Sequence, residues 1–174
     1  MEVDVRAAGS ADAGAVAAVH VASWRAGYRG LLPGAFLDAL SVQEREHGWA
    51  AALEQGAQVL LAERDGQVAG FVCYGPCRDL DASVGVGEVY ALYARPDCWG
   101  TGVGGRLLDA AVQALTSGSG GDVVLWVLEG NQRARGFYER RGWWPDGATK
   151  VEEQAGLVLS EVRYRWSRGQ ASEQ

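Results

Sequence analysis

The residues whose types and spacing could do chemistry lie past the middle of the chain, in Trp99-Gly100-Thr101-Gly102-Val103-Gly104-Gly105-Arg106-Leu107-Leu108. Alternating glycines separate an apolar strand-like run, Glu88 to Ala94, from an apolar helix-like run, Val103 to Leu115. Glycine lets the backbone turn tightly and lets a ligand approach it closely. A helix that starts there points unpaired N–H groups and the positive end of its dipole into that space. This is a cradle for a phosphate or pyrophosphate.

Several phosphate chemistries compete for such a loop. A nucleoside-triphosphate loop needs Lys-Ser/Thr after its last glycine, and Gly104 is followed by Gly105-Arg106, so that reading fails. A dinucleotide fingerprint, GxGxxG, is formally met by Gly100, Gly102 and Gly105, with Glu129 about where a ribose-binding acid would lie. That fingerprint belongs in the first βα turn of a repeated βαβ sheet. Here the loop follows a hairpin and no second βαβ half is visible. A glycine-rich turn with no ligand is the remaining structural reading.

The elements that must position the loop can be read in order. Val3 to Ala7 predicts a short first strand. Asp12 is placed to cap a helix over Ala13 to Ala26. His20, Trp24 and Tyr28 recur at i, i+4 and i+8 and so share one face, with Tyr28 near the helix end. A short helix runs to Leu40, and Ser41-Val42-Gln43-Glu44 is a capping box that opens a helix to about Leu53. Asp65-Gly66 between Val59–Arg64 and Gln67–Tyr74 predicts a hairpin with a type I′ turn. Gly75 to Gly87 is a polar loop, Glu88 to Ala94 a strand, and the glycine loop leads a helix to about Ser117. Gly118-Ser119-Gly120-Gly121 is a flexible connector. Asp122 to Leu128 is an almost wholly apolar strand, as a buried parallel strand should be. Asn131 caps a helix over Gln132 to Arg141, closed by Gly142. Two strands follow, near Trp143 to Val151 and Leu157 to Trp166. The order β-αα-βββ-α-β-α-ββ describes an α/β fold: a mixed, mostly antiparallel central sheet of about seven strands flanked by helices, with one parallel βαβ unit carrying the loop. Residues 1–166 form one domain, and 167–174 are a polar, flexible tail.

Within this frame the loop resembles the Q/R-x-x-G-x-G/A motif of the GCN5-related N-acetyltransferases (GNAT superfamily). Gly102 and Gly104 match it, and Trp99 stands where the family has Gln or Arg. A second segment, Asn131, Ala134, Phe137-Tyr138-Glu139 and Gly142-Trp143, resembles the family's N-x-x-A-x-x-F-Y-x-x-x-G-F. The likeness in element order runs from Val3 to Trp166. It implies an acetyl-CoA-dependent N-acetyltransferase that moves an acetyl group directly to a primary amine of a small molecule or peptide, with no metal. It assigns the pyrophosphate to Trp99, Gly100, Thr101, Gly102, Val103, Gly104 and Gly105. It aligns the pantetheine arm with backbone groups of Leu92, Tyr93 and Ala94, with the Leu92 N–H region near the thioester oxygen, and with the Asn131 side chain. It makes Tyr138 the proton donor to the CoA thiolate, and it is compatible with a homodimer. A non-catalytic acyl-CoA-binding sensor and an NAD(P)-dependent oxidoreductase are the alternatives.

Acetyl transfer to an amine needs a neutral nucleophile, and an alkylammonium has a pKa of about 10.4, so a base or water relay must remove a proton. Glu88 is the candidate base; the competing reading is a solvent-facing acid at a strand end. Seven tryptophans are many for 174 residues. Trp24, Tyr28, Tyr90 and Trp126 are candidates for an aromatic wall holding the amine by cation–π contact, against plain core packing. Phe137 and His20 are expected in the core, and His47 on a solvated helix face.

Composition sets the outer limits. Lys and Arg total 16 against 22 Asp and Glu, a net charge of −6, which argues against nucleic acid and leans toward a cationic partner. No apolar run approaches the roughly 18 residues that cross a bilayer, so no membrane role is expected. The N-terminus lacks the pattern of a secretory signal. The three cysteines, Cys73, Cys77 and Cys98, form no CxxC and have no histidine at ligand spacing, which predicts reduced thiols in a cytoplasmic protein.

Overall fold

The computed structural model describes residues 3–118 and 121–169. Ser119 and Gly120 of the expected connector, and residues 170–174 of the expected tail, lie outside the described residues. The elements are β1 (Asp4–Ala7), α1 (Ala13–Gly27), α2 (Gly34–Asp38), α3 (Val42–Glu54), β2 (Gln58–Arg64), β3 (Gln67–Pro76), β4 (Gly87–Ala94), α4 (Val103–Thr116), β5 (Val123–Leu128), α5 (Gln132–Glu139), β6 (Trp144–Gln154) and β7 (Leu157–Trp166). The strands form a seven-stranded sheet in the order β1-β2-β3-β4-β5-β7-β6. β4 and β5 run parallel over Gly87–Val89, whereas β1–β2, β2–β3, β5–β7 and β6–β7 are antiparallel. The expected fold class and its single parallel βαβ unit are therefore present.

The chain divides into two compact units, and the division falls inside β4. The first holds the chain up to Gly75 together with Ala91–Ala114; the second holds Pro76–Tyr90 and the chain from Leu115 onward. The first unit is built on apolar packing. Val16 and Ala17 of α1, Leu61 and Ala62 of β2, Phe71 and Val72 of β3, and Val103 and Leu107 of α4 are fully buried. Its hairpin turns at Asp65 and Gly66, both at positive φ (53° and 74°), as the Asp-Gly signal predicts. Ser41 caps α3 by accepting a hydrogen bond from the Glu44 N–H at 3.2 Å. Asp12 departs from expectation: its backbone is already helical and its side chain makes no cap bond to α1. The carboxylate instead accepts from the Gly9 N–H and from Arg6, so it closes a 3-10 turn and an ion pair.

In the second unit Val123, Val124 and Leu125 of β5 and Tyr164 of β7 form the apolar centre. β6 runs three residues further than expected, to Gln154. The cause is a two-residue turn at Ala155-Gly156, where Ala155 adopts φ 51° and lets Gln154 pair with Leu157. α5 ends at Glu139, two residues early, with Gly142 at φ 78° just beyond. At the start of the tail, Ser167 Oγ donates to Asp122, and Arg168 donates to the Thr116 carbonyl at 3.0 Å.

Candidate active site

The glycine loop belongs to the first unit. After β4 a 3-10 turn, Pro96–Cys98, leads into it, and Thr101 Oγ1 donates to the Cys98 carbonyl at 2.7 Å. Gly100 and Gly102 have φ of 75° and 92°, and a Cβ at either would meet nothing within 4 Å. Glycine is needed there for backbone conformation, not for lack of room. The Gly102 carbonyl accepts from the Arg106 N–H at 3.0 Å and so takes the first bond of α4. The amides of Val103, Gly104 and Gly105 precede that donor and have no acceptor inside the helix. α4 has no acid in its first turn. The loop therefore fits a pyrophosphate: left-handed glycines and first-turn amides stand at the positive end of a 14-residue helix. Trp99 turns back on the strand, and its Nε1–H donates to the Ala94 carbonyl at 3.0 Å. The residue that departs from the family motif thus staples the loop to the end of β4.

The α1 aromatics of the first unit gather around His20. Its ring stacks on Tyr93 at 5.2 Å and 10°, and meets Trp24, Trp49 and Phe71 edge-on. Trp49 Nε1–H donates to His20 Nδ1 at 3.1 Å, which leaves the ring proton of the neutral form on Nε2. Burial, helped by the charge of Arg45, pushes the His20 pKa down to about 4. His20 is thus a neutral, packed histidine, as expected, and His47 is exposed on α3. Trp24 packs edge-on against Tyr28 at 4.9 Å, and both lie on the cluster of Val21, Leu37 and Leu40. Trp24 Nε1 is buried without a hydrogen-bond partner, a donor still open to an acceptor.

Glu88 is in the second unit and is 2% exposed, so the solvent-facing reading is overturned. Its carboxylate accepts from the Arg78 N–H at 2.9 Å, from Arg78 Nη2 at 2.7 Å and from Arg78 Nε at 3.3 Å. The same guanidinium lies 4.1 Å over the ring of Tyr90, whose hydroxyl donates to the Pro76 carbonyl at 2.5 Å. Trp126 also carries resident cations, with Lys150 Nζ 4.5 Å and the Arg163 guanidinium 5.6 Å from its centroid. Register explains this: Trp126 is directly opposite Arg163 across β5–β7, and Lys150 is opposite Glu161 across β6–β7. The Trp126 Nε1–H donates to Asp79 at 3.1 Å. Arg163 is buried and reaches Asp79 (3.0 Å), Asp81 (2.8 Å) and Asp146 (2.8 Å). The four expected wall residues thus occur as two pairs in different settings: Trp24 and Tyr28 packed among rings, with the Arg45 guanidinium 5.7 Å from the Trp24 centroid, and Tyr90 and Trp126 directly under closer cations.

Asn131 is buried and caps α5, its Oδ1 accepting from the Ala134 N–H at 3.1 Å. Tyr138 is buried, with its ring against Phe137, Trp143 and Tyr164. Phe137 is only partly buried, and Arg141 lies 5.4 Å over it, so it is not the core residue expected. The fully buried Tyr164 ties α5 to β7: its hydroxyl donates to Glu139 Oε1 at 2.5 Å and accepts from Arg135 Nε at 3.1 Å.

Sequence reasoning missed Arg78, Asp79, Asp81 and Arg163. Arg78, Asp79 and Asp81 stand in the Gly75–Gly87 loop, but no spacing signals their partners; Arg163 and Asp79 are 84 positions apart. Cys77 Sγ and carboxylate oxygens of Asp79 and Glu88 lie within 4.8 Å of one another. The charges of the two acids are met by Arg163 and Arg78, so the group is an ion-pair cluster. No helix of the described residues is long and apolar enough to cross a membrane.

Comparison with known proteins identifies the family to which this fold and loop belong. The model of the Acetyltransferase (GNAT) family matches residues 21–143. A probable N-acetyltransferase of Mycobacterium tuberculosis is 33% identical over 167 residues, covering 94% of this chain and 92% of its own. Two solved structures share the fold. One is an N-acetyltransferase of Thermoplasma acidophilum in complex with coenzyme A, with TM-score 0.69 and 18% identity over 96% of this chain and 99% of its own. The other is a putative acetyltransferase of Salmonella typhimurium with acetyl-CoA, with TM-score 0.69 and 20% identity over 100% of this chain and 96% of its own. The chain belongs to the Acetyltransferase (GNAT) family and is an N-acetyltransferase by class.

Proposed function

We propose that this protein transfers the acetyl group of acetyl-CoA directly to a primary amine of a small molecule or peptide. The observation that carries the cosubstrate is the α4 N-terminus: left-handed glycines at 100 and 102, with the unpaired first-turn amides behind them. Gly100, Thr101, Gly102, Val103, Gly104 and Gly105 hold the pyrophosphate, and Trp99 fixes the loop without supplying a polar side-chain contact of the usual Gln or Arg kind. Leu92, Tyr93 and Ala94 offer backbone groups to the pantetheine arm, and Asn131 adds a side-chain contact while capping α5. When bound, acetyl-CoA supplies a thioester carbonyl open to attack by an amine.

Glu88 takes the proton of the incoming ammonium, directly or through water. Tyr138 donates a proton to the leaving thiolate. Tyr90 is the favoured acceptor contact among the candidates, because a guanidinium already lies 4.1 Å over its ring beside Glu88.

The test pairs binding with turnover. Acetyl-CoA and CoA raise the melting temperature and NAD does not; stabilisation by NAD alone overturns the reading. Thiol release from acetyl-CoA depends on added amine; binding without such release identifies a sensor instead. Tyr138→Phe keeps the ring packing and lowers kcat by roughly 10²-fold or more. Near wild-type turnover in that variant removes the acid role.

A further inference from the structure

Glu88 and Arg78 are an unequal pair. The carboxylate is 2% exposed, whereas the Arg78 side chain is 63% exposed. Apart from its own backbone N–H, all the bonds that Arg78 makes to Glu88 come from that exposed guanidinium. The same group covers the face of Tyr90 at 4.1 Å. Without the Arg78 side chain, a buried carboxylate and an aromatic face would stand side by side, open from the solvent side. That pair is the recognition chemistry for an organic cation: charge-assisted hydrogen bonds from one partner and cation–π attraction from the other.

Arg163 shows what an arginine fixed for structure looks like in the same unit. Its side chain is 8% exposed and it is held by three aspartates, Asp79, Asp81 and Asp146. Arg78 has solvent on one side and, among the described residues, one carboxylate at ion-pair distance, Glu88, with Asp79 and Glu161 acting on it only through longer-range charge. Leaving Glu88 buried and unpaired would be costly, so Arg78 departs only as another cation arrives. A neutral molecule cannot drive that exchange.

We infer that Arg78 is an internal occupant of the acceptor's cation subsite, and that an alkylammonium or alkylguanidinium acceptor binds by displacing the Arg78 guanidinium from Glu88 and Tyr90. This rests on the N-acetyl-transfer reading and deepens it. The acceptor class becomes a cationic amine. The apparent affinity of the wild-type protein for it is reduced by the fraction of molecules in which Arg78 fills the subsite.

Calorimetric titration with putrescine, agmatine and the uncharged butanediol tests it. Arg78→Ala binds both cations at least about tenfold more tightly than wild type, and butanediol binds neither protein. Arg78→Lys, whose ammonium lacks the planar fork, falls between the two and decides the matter should the alanine variant not fold. The gain is lost in Arg78→Ala/Glu88→Gln. Equal or weaker cation binding in the folded Arg78 variants, or a gain that survives Glu88→Gln, overturns the subsite. Thiol release from acetyl-CoA is measured beside the titrations. Tight cation binding with no amine-dependent release in any variant breaks the transfer reading alone; release with unchanged affinities breaks the subsite alone.

Discussion

Aromatic rings gather in both units of this chain, but they meet different company. In the first unit His20 is surrounded by rings: Trp24, Trp49, Phe71 and Tyr93, with centroids 5.2 to 6.1 Å away. In the second, Trp126 and Tyr90 are covered by cations at 4.1 to 5.6 Å. The first arrangement suppresses charge, since a histidine enclosed by rings stays neutral. The second concentrates charge and neutralises it in pairs. An aromatic count alone suggests one wall for an amine. The neighbours show that the second setting holds its cations closest, with Arg78 at 4.1 Å from Tyr90 and Lys150 at 4.5 Å from Trp126, whereas the first has a single guanidinium, Arg45, 5.7 Å from Trp24, among the described residues.

The sharpest way to break this comparison is to remove the buried cation. Arg163→Met takes the guanidinium from Asp79, Asp81 and Asp146; Asp81 is exposed and Asp146 keeps Arg165, so the cost falls on the largely buried Asp79 and on Asp146, which loses one of its two arginines. A loss of about 3–5 kcal/mol in urea unfolding is expected. A loss below about 1 kcal/mol would mean that the aspartates find other cations and that the second unit is not organised by this charge.

How far the sequence carries follows from the same contrast. Periodicity, caps and turn residues depend on near neighbours, so the Asp65-Gly66 hairpin, the Ser41 and Asn131 caps and the start of α4 at Val103 were all legible. Asp12 was misread because two partners compete for its carboxylate, and Arg6, six positions back, outweighs the α1 cap. The Ala155-Gly156 turn was missed because alanine rarely adopts φ 51°. For the candidate site, the glycine loop was legible because its chemistry lies in consecutive backbone amides. Arg163 over Trp126 was not, because strand register brings them together, and neither was Arg78 over Tyr90, because the loop after β3 folds back on the start of β4; no local spacing records either.

A middle-sized effect tests the first unit, where packing should dominate. A Cβ on Gly70 in β3 would lie 2.9 Å from the Tyr93 carbonyl and 3.0 Å from side-chain atoms of Val103 and Leu107. The carbonyl is backbone and cannot swing away. Gly70→Ala is expected to cost roughly 1–3 kcal/mol. Because Val103 opens α4, the variant should also weaken acetyl-CoA binding in a thermal-shift titration, whereas cation binding through Glu88 should not change. An unaltered acetyl-CoA affinity would separate the packing of β3 from the geometry of the loop.

The smallest expected effect is a slope with pH. His20 has a pKa of about 4 in the folded protein against 6.5 for an ordinary histidine. Between those values the unfolded chain binds a proton that the folded protein refuses, so stability falls as pH drops through this window. The effect is absent above 6.5 and fully developed below about 4. One pH unit into the window it amounts to roughly 1 kcal/mol, reduced by partial exposure of the ring. The Arg6-bound carboxylate of Asp12 titrates lower, from 3.8 down to about 2, so its loss of stability begins only where that of His20 is nearly complete. His20→Gln keeps an acceptor for Trp49 and abolishes the slope between about pH 6.5 and 4 in urea midpoints. If that slope persists, the charge-suppressing role belongs to some other group and the contrast between the two ring clusters fails at His20.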